Sequence, residues 1–318
     1  MRLLLIPDPA SPNGEDAFCR EIAKRAHARG HLCVASSDCD AVIINGLQPA
    51  ALLAARTAGR PTALRLIDSF SGVSPAALAE IKDCAGQAGC LLVPSRHMAE
   101  VVASWGVAPQ RCRIVPYAYD HIFAQQIALV TMRAARPSGF GLVTAGSINA
   151  STLPAFETML SAVSRLRLDC HLAVIGDGPA LSELRARAET LSLGGRVSFV
   201  ADLPHPKKME YLRAAKAFIE PSSGQGFPAL VLHALSEGCP VIGAAGGCVS
   251  EIIVDGRNGL LFRPGDAADL SEQVVTLAST PGLSLKLIAE GVRTVERHSW
   301  DATVAATFDA VETLQVKA

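Results

Sequence analysis

Glycine recurs at the ends of apolar runs, where a backbone amide can be offered to a phosphate oxygen. Asn13-Gly14 comes after the run Leu3–Ile6. Gly146 follows Gly141–Ala145, and Gly176-Asp177-Gly178-Pro179 follows Leu172–Ile175. Gly224, Gly226, Gly246 and Gly247 stand before two further helical patterns. Amides at a helix start, uncovered by side chains, bind anionic oxygens. Glycine also ends strands for steric reasons alone. For Gly176–Pro179, where Pro179 is placed to open a helix, a plain turn and a phosphate contact stand as equal readings. The set taken together points to a phosphate-bearing ligand.

Other chemistries find less footing. No Asp-x-Asp reads as a site for a diphosphate-bound cation, and His and Cys do not cluster, so no metal is expected. The nine cysteines include no Cys-x-x-Cys, and the Cys33/Cys39 and Cys84/Cys90 spacings fit no zinc pattern. They read as buried, reduced thiols of a cytoplasmic protein. A net charge of −1 argues against a broad nucleic-acid surface. The opening MRLLLIPDPASP is too short for the apolar core of a signal peptide. No run reaches the roughly eighteen uncharged apolar residues that a membrane span needs.

The glycine turns must be held by strands and helices, and the chain alternates the two throughout. Strands are predicted at Leu3–Ile6, Leu32–Ala35, Ala41–Ile44, Thr62–Ile67, Cys90–Val93 and Arg113–Val115. A second series is predicted at Gly141–Ala145, Leu172–Ile175, Val197–Val200, Ala217–Ile219, Pro240–Gly243 and Leu260–Phe262. Helical patterns lie between them; in one, Phe18, Ile22 and Ala26 form the apolar face. Such alternation implies parallel sheets covered by helices on both faces. The two series part near Ala124–Gly139, which carries ARPSG, a linker composition. At 318 residues the chain suits two domains. The expected fold class is α/β, two Rossmann-like doubly wound domains facing across a cleft. Ligands bind at the carboxyl ends of such strands. The expected division is 1–130, 131–300 and a closing helix 301–318 that returns to the first domain.

The stretch Glu220–Asp266 reads as strand, Gly-rich loop, helix, strand, Gly-rich loop, helix, turn, strand. With VIGDGPALSELRARAETLSLGGRVSFVADLP before it, it resembles the donor domain of glycosyltransferase family 4, retaining enzymes of GT-B fold. The likeness runs from Gly141 to about Trp300 and is specific in AAKAFIEPSSGQGFPALVLHALSEGCPVI and GGCVSEIIVDGRNGLLFRPGD. HSWDATVAATFDAVETL resembles the family's closing helix. The first domain matches more thinly and is short between its second and third strands. The resemblance implies transfer of a sugar from a nucleoside diphosphate sugar to a hydroxyl acceptor with retention. It implies no cofactor beyond that donor, and the acceptor stays unidentified.

The resemblance also assigns positions. An arginine and a lysine that hold the diphosphate in the family fall here at Ser147 and Thr152. Two glutamates, one near the donor sugar and one on the ribose, fall at Gln225 and His233. The histidine before an aspartate falls at Ile67, beside Asp68; the Asn-Gly before Asp120 is Tyr117-Ala118. The implied donor-binding set is Gly14, Gly146, Ser147, Thr152, Gly176, Gly226, Phe227, Pro228, Ala229, His233 and Glu251, with Gln225 and Asp68 at catalytic positions. Two cations and two anions are thus absent together, which leaves no uncompensated charge. Preorganised groups of this kind are each worth about 3–4 kcal/mol of barrier, so a binder without turnover is the alternative function. Lys207, Lys208 and Arg263 are candidate substitutes for the cations.

Three of these positions have plain readings as well. His233 could be a packed core histidine, Asp68 a cap or turn residue, and Glu251 a helix-dipole partner. Arg20, Lys24, His27 and His31 share a helical face. That face reads as a solvated surface or as a peripheral membrane contact.

Overall fold

The computed structural model describes residues 1–8, 16–67, 73–118, 139–224 and 226–315. The chain divides into two compact units. One comprises residues 1–118, 225–227 and 298–318, the other residues 119–224 and 228–297. Gly139 apart, the Ala124–Gly139 segment lies outside the described residues.

The first unit is built on a six-stranded sheet of β1 (Arg2–Ile6), β2 (Leu32–Val34), β3 (Ala41–Asn45), β4 (Thr62–Arg65), β5 (Cys90–Val93) and β6 (Cys112–Ile114), in the order β2-β1-β3-β4-β5-β6. Every pairing is parallel. Parallel strands are covered on both faces, so they read as continuous apolar runs rather than alternating ones. AVIIN of β3 and CLLV of β5 are buried at every residue. Asp16, Ser74 and Ser95 cap helices α1 (Ala17–Ala26), α3 (Pro75–Gln87) and α4 (Arg96–Ala103) by accepting a bond from a first-turn amide. The last helix, α12 (Trp300–Gln315), sets Val304, Phe308 and Val311 into the same core as Leu3, Ile22, Ala63 and Leu92.

That helix also bonds basic residues on and after α1. Arg25 and Arg29 pair with Asp301 and Asp309 at 2.9 Å each. Lys24 pairs with Glu21 at 2.7 Å. His31 is not on an exposed face at all: it is buried against the Phe308 ring and bonds Glu312 at 2.9 Å.

The second unit is built on β7 (Phe140–Ala145), β8 (Cys170–Ile175), β9 (Val197–Val200), β10 (Ala217–Glu220), β11 (Val241–Ala244) and β12 (Leu260–Phe262), in the order β12-β11-β10-β7-β8-β9. These pairings are parallel too. Its core lies between the sheet and α5 (Leu153–Arg165), α6 (Leu181–Thr190) and α10 (Ala267–Ser279), around Phe156, Leu160, Leu172, Leu184, Phe262 and Leu270.

All twelve expected strands form, nine of them with an end displaced by a residue or two. The displacements have local causes. Pro240 has no N–H for the ladder, so β11 opens at Val241, although the Pro240 carbonyl still accepts from Phe218 N at 2.8 Å. Beyond β4, Leu66 N keeps one ladder bond to Leu92 O at 3.0 Å.

Candidate functional site

Strand order fixes where the second unit can hold a ligand. The chain starts at β7, winds outward through β8 and β9, then returns to β10 on the other flank of β7. The switch point therefore lies between the carboxyl ends of β7 and β10, the standard place for a ligand in such sheets. Four strand-end loops of this unit lie around it: residues 146–152, 176–180, 221–224 and 245–248.

Two of these loops are fused through glycine. A side chain at Gly176 would put its Cβ 2.0 Å from the Gly146 carbonyl oxygen, and one at Gly178 would come 2.2 Å from that of Ile148. Both glycines have positive φ, +151° and +149°. Ile148 N donates to Asp177 O at 2.9 Å, and Ala180 N to Ile148 O at 3.1 Å. Backbone thus lies directly on backbone, and only glycine permits it.

The 146–152 loop is held from inside by its own polar residues. Thr152 Oγ1 donates to Ser147 O at 2.8 Å and accepts from Asn149 N at 3.0 Å. Asn149 Oδ1 accepts from Ser151 N at 2.9 Å and from Thr152 N at 3.2 Å, an Asx turn that opens α5. Thr152 at the lysine position is therefore a staple of the loop. Ser147 at the arginine position is exposed, as is Gly146.

On the other flank, Gly246 lies against Ser223, and its N–H donates to Ser250 Oγ at 2.7 Å. Helix α8 (Ala229–Ser236) starts after Pro228 with no side-chain cap bond, and its Val231 N donates to Pro228 O at 2.9 Å. His233, on α8, is buried and meets the His205 ring edge-on at 4.8 Å. Burial pushes its pKa down to about 3, with His205 and Lys208 adding to the effect, so it is neutral. This is the packed-histidine reading of that position. Glu251, on α9 (Val249–Ile252), is exposed. The candidate replacement cations are engaged with carboxylates: Lys207 with Glu210 at 2.9 Å, Lys208 with Asp202 at 2.8 Å and Arg263 with Asp266 at 2.9 Å.

Gly226 and Phe227 group with the first unit, where Phe227 stacks on Tyr117 at 5.3 Å. The ring of His298 lies 6.4 Å from Phe227, and its Nδ1 bonds the Tyr117 carbonyl at 3.1 Å. Gly14, Asp68 and Gln225 lie outside the described residues.

Three groups escaped the sequence reading. At the β1/β3 switch point of the first unit, buried Asp16, Asn45 and Arg65 form a chain. Asn45 Nδ2 donates to Asp16 at 2.7 Å, and Arg65 Nη1 donates to Asn45 Oδ1 at 3.0 Å. The guanidinium also lies 4.2 Å over the Phe18 ring. Burial alone would raise the Asp16 carboxyl. Bonds from Asn45 and from the amides of Asp8 and Cys19 more than offset that and hold it below its ordinary value. An Asp just before an apolar-periodic helix was a legible cap signal; an Arg inside TALRLI was not. The second group is Asn149. The third is Glu220, at the end of AFIE, whose carboxyl accepts from Ser222 N and Oγ at 3.2 and 3.1 Å.

Metal ligands do not gather: no cluster of three His, Cys, Asp or Glu residues forms among the described residues. The chain's one Asp-x-Asp is Asp38-Cys39-Asp40. Its carboxylates pair with Arg2 at 2.6 and 3.4 Å. All nine cysteines are free thiols. Among the described residues no helix is long and apolar enough to cross a membrane.

The second unit is thus a parallel, doubly wound α/β unit with glycine-rich loops at its switch point. Residues 139–280 match the family described as Glycosyl transferases group 1. A D-inositol 3-phosphate glycosyltransferase of Kribbella flavida is 27% identical over 227 residues, 67% of this chain and 54% of that protein. The chain spans about half the length of the curated relatives it matches. HepE of Anabaena, solved in complex with UDP and glucose, superposes with a TM-score of 0.78 at 15% identity, over 98% of this chain and all (100%) of that one. Sucrose-phosphate synthase of Thermosynechococcus elongatus gives a TM-score of 0.75 at 16% identity, over 100% of each chain. Over residues 139–280 the chain is similar to this glycosyltransferase group, and its fold is the GT-B fold of these solved structures.

Proposed function

We propose that the protein transfers a sugar from a nucleoside diphosphate sugar to a hydroxyl acceptor, with retention at the anomeric carbon. The observation that carries this reading is the convergence of four strand-end loops on the β7/β10 switch point. Gly146 and Ser147 are exposed there, and α8 opens without a side-chain cap. Diphosphate oxygens can accept from such amides without a cation. Gly146, Ser147, Pro228 and Ala229 would face the donor, with Glu251 at the edge and Gly176 holding the Gly146 loop in place. Thr152 and His233 would act by holding the loop and the helix, and Gln225 and Asp68 would stand at the catalytic positions. The relatives lend support: their names specify sugar transfer, and HepE holds UDP and glucose. The reading requires no cofactor. A cytoplasmic location accords with nine free thiols.

The test is a thermal-shift panel of UDP, GDP and ADP and their sugars, with and without magnesium. A ligand at a hundred times its Kd adds about 2.7 kcal/mol to stability. One nucleobase series should raise Tm by several degrees. Proton NMR of the transfer product should then show the donor's anomeric configuration. No shift with any nucleotide would reject the reading.

A second reading, a binder of nucleotide, sugar or protein without turnover, has its own observation in support. The Thr152 hydroxyl is bound into its loop, and neutral His233 is packed on His205. Saturable nucleotide binding with no donor hydrolysis would favour it.

A further inference from the structure

We propose that Glu220 brings a carboxyl group to the donor site and that it serves as a hydrogen-bond donor to a diphosphate oxygen. This rests on the donor-site reading above and adds a group that the family likeness does not assign.

The geometry places Glu220 at the switch point itself. It is the last residue of β10 and pairs in register with Gly243 of β11. On the other side Ala217 and Phe218 pair with Leu142 and Val143, so two residues on Glu220 lies beside Ala145, just before Gly146-Ser147. Its flanking strand positions are thus a glycine and an alanine, neither of which covers a long side chain. The residue is half-buried. Both Ser222 bonds go to Oε1, so Oε2 makes no hydrogen bond among the described residues.

The charges around it leave the carboxyl unpaired. Strands β7 and β11 bring no ionisable side chain. Helix α8 brings His233, which is neutral, and Glu237 at its end pairs with Arg213 at 3.1 Å. Helix α9 brings Glu251, which is exposed. No cation pairs with Glu220 among the described residues. Burial accordingly pushes its carboxyl up to about 7, against the lowering effect of the Ser222 bonds.

A protonated carboxyl donates to a phosphate oxygen, whereas a carboxylate only accepts and repels it. Diphosphate affinity should therefore fall as pH rises through about 7. Bridging Glu220 to Ser222 as a plain strand-end turn would produce no such coupling.

The experiment is calorimetric titration of UDP, GDP and ADP into the full chain from pH 6 to pH 8.5, for the parent, Glu220→Gln and Glu220→Ala. A nucleoside diphosphate titrates near pH 6 itself, so the ratio of parent to variant is the quantity read. Glu220→Gln keeps a donor at every pH. Relative to it, the parent should lose affinity by up to about tenfold per pH unit above its own pKa. Glu220→Ala should bind more weakly than Glu220→Gln throughout. A readout without ligand guards against misfolding. The folded value lies above the ordinary 4.5, so protonation favours the folded state and stability is lost as pH rises through about 7. The parent's Tm should fall from pH 5 to pH 8 by more than that of Glu220→Gln. Equal pH dependence of binding in parent and Glu220→Gln overturns the role of Glu220 and leaves the donor site standing. No nucleotide binding by the parent at any pH overturns both.

Discussion

At the scale of the residue, two positions of the second unit that look alike in sequence are physically opposite. Ser147 is exposed, and its side chain can be lengthened without meeting the core. The Thr152 hydroxyl makes two bonds that hold the loop, to Ser147 O at 2.8 Å and from Asn149 N at 3.0 Å. Ser147→Arg should change stability by no more than about 0.5 kcal/mol. Paired with Gln225→Glu, which keeps net charge constant, it should tighten nucleoside diphosphate binding about tenfold, since a charge-assisted bond is worth roughly 1.5–3 kcal/mol. Thr152→Lys should instead cost about 1–3 kcal/mol and loosen the loop. Urea melts and calorimetry on the three variants check this. In the first unit, Asp16→Asn keeps the helix cap but removes the charge at the end of the Asn45–Arg65 chain. The native carboxyl titrates below its ordinary 3.8, so its contribution is present above that value and lost as pH falls through the folded one. The variant should be less stable than the parent by about 1–3 kcal/mol at pH 7. The gap should close on acidification to about pH 2, as followed by urea melts at each pH.

At the scale of the element, the contact between loops 146–152 and 176–180 depends on glycine for reasons of space. Gly178→Ala must move backbone, because its Cβ would sit 2.2 Å from Ile148 O. Overlap of this kind costs about 1–3 kcal/mol, and the φ of +149° adds strain of similar size. Gly141→Ala is the control: nothing lies within 4 Å of its added Cβ. Gly178→Ala should lower Tm markedly and weaken nucleotide binding, and Gly141→Ala should do neither. The elements were the most legible level of this chain. Buried parallel strands write themselves as unbroken apolar runs such as AVIIN and CLLV, and glycine and proline punctuate their ends. The site was legible only in part. Glycine turns mark where backbone approaches something, but the sequence does not say whether that is a phosphate or another loop; for Gly176 and Gly178 the structure shows the other loop. Polar residues replacing charges at 147, 152 and 233 gave no sign of their separate fates, because burial and bonding partners come from distant strands. Glu220 went unnoticed since a carboxylate closing an apolar run reads as a strand end. Its raised value follows from burial with no paired cation among the described residues, which only packing reveals.

At the scale of the whole molecule, each unit carries its own core. The cluster around Leu3, Ile22, Leu92 and Phe308 lies wholly in the first, and the one around Leu160, Leu172, Leu184 and Phe262 wholly in the second. The first core is completed from the far end of the sequence, since Val304, Phe308 and Val311 of α12 pack against strands that open the chain. Chains with two such cores need not unfold in one step. Differential scanning calorimetry should therefore resolve two transitions. Phe308 is 0% exposed, and Phe308→Ala should remove about 3–5 kcal/mol from the first unit alone. Gly178→Ala should lower the other transition alone. Nucleotide should raise the transition that Gly178→Ala lowers, because mass action stabilises the unit that binds. If Phe308→Ala lowers both transitions equally, or if a single transition carries all of the heat in every variant, the two cores are not energetically separate. Nucleotide affinity should then fall with Phe308→Ala as steeply as with Gly178→Ala.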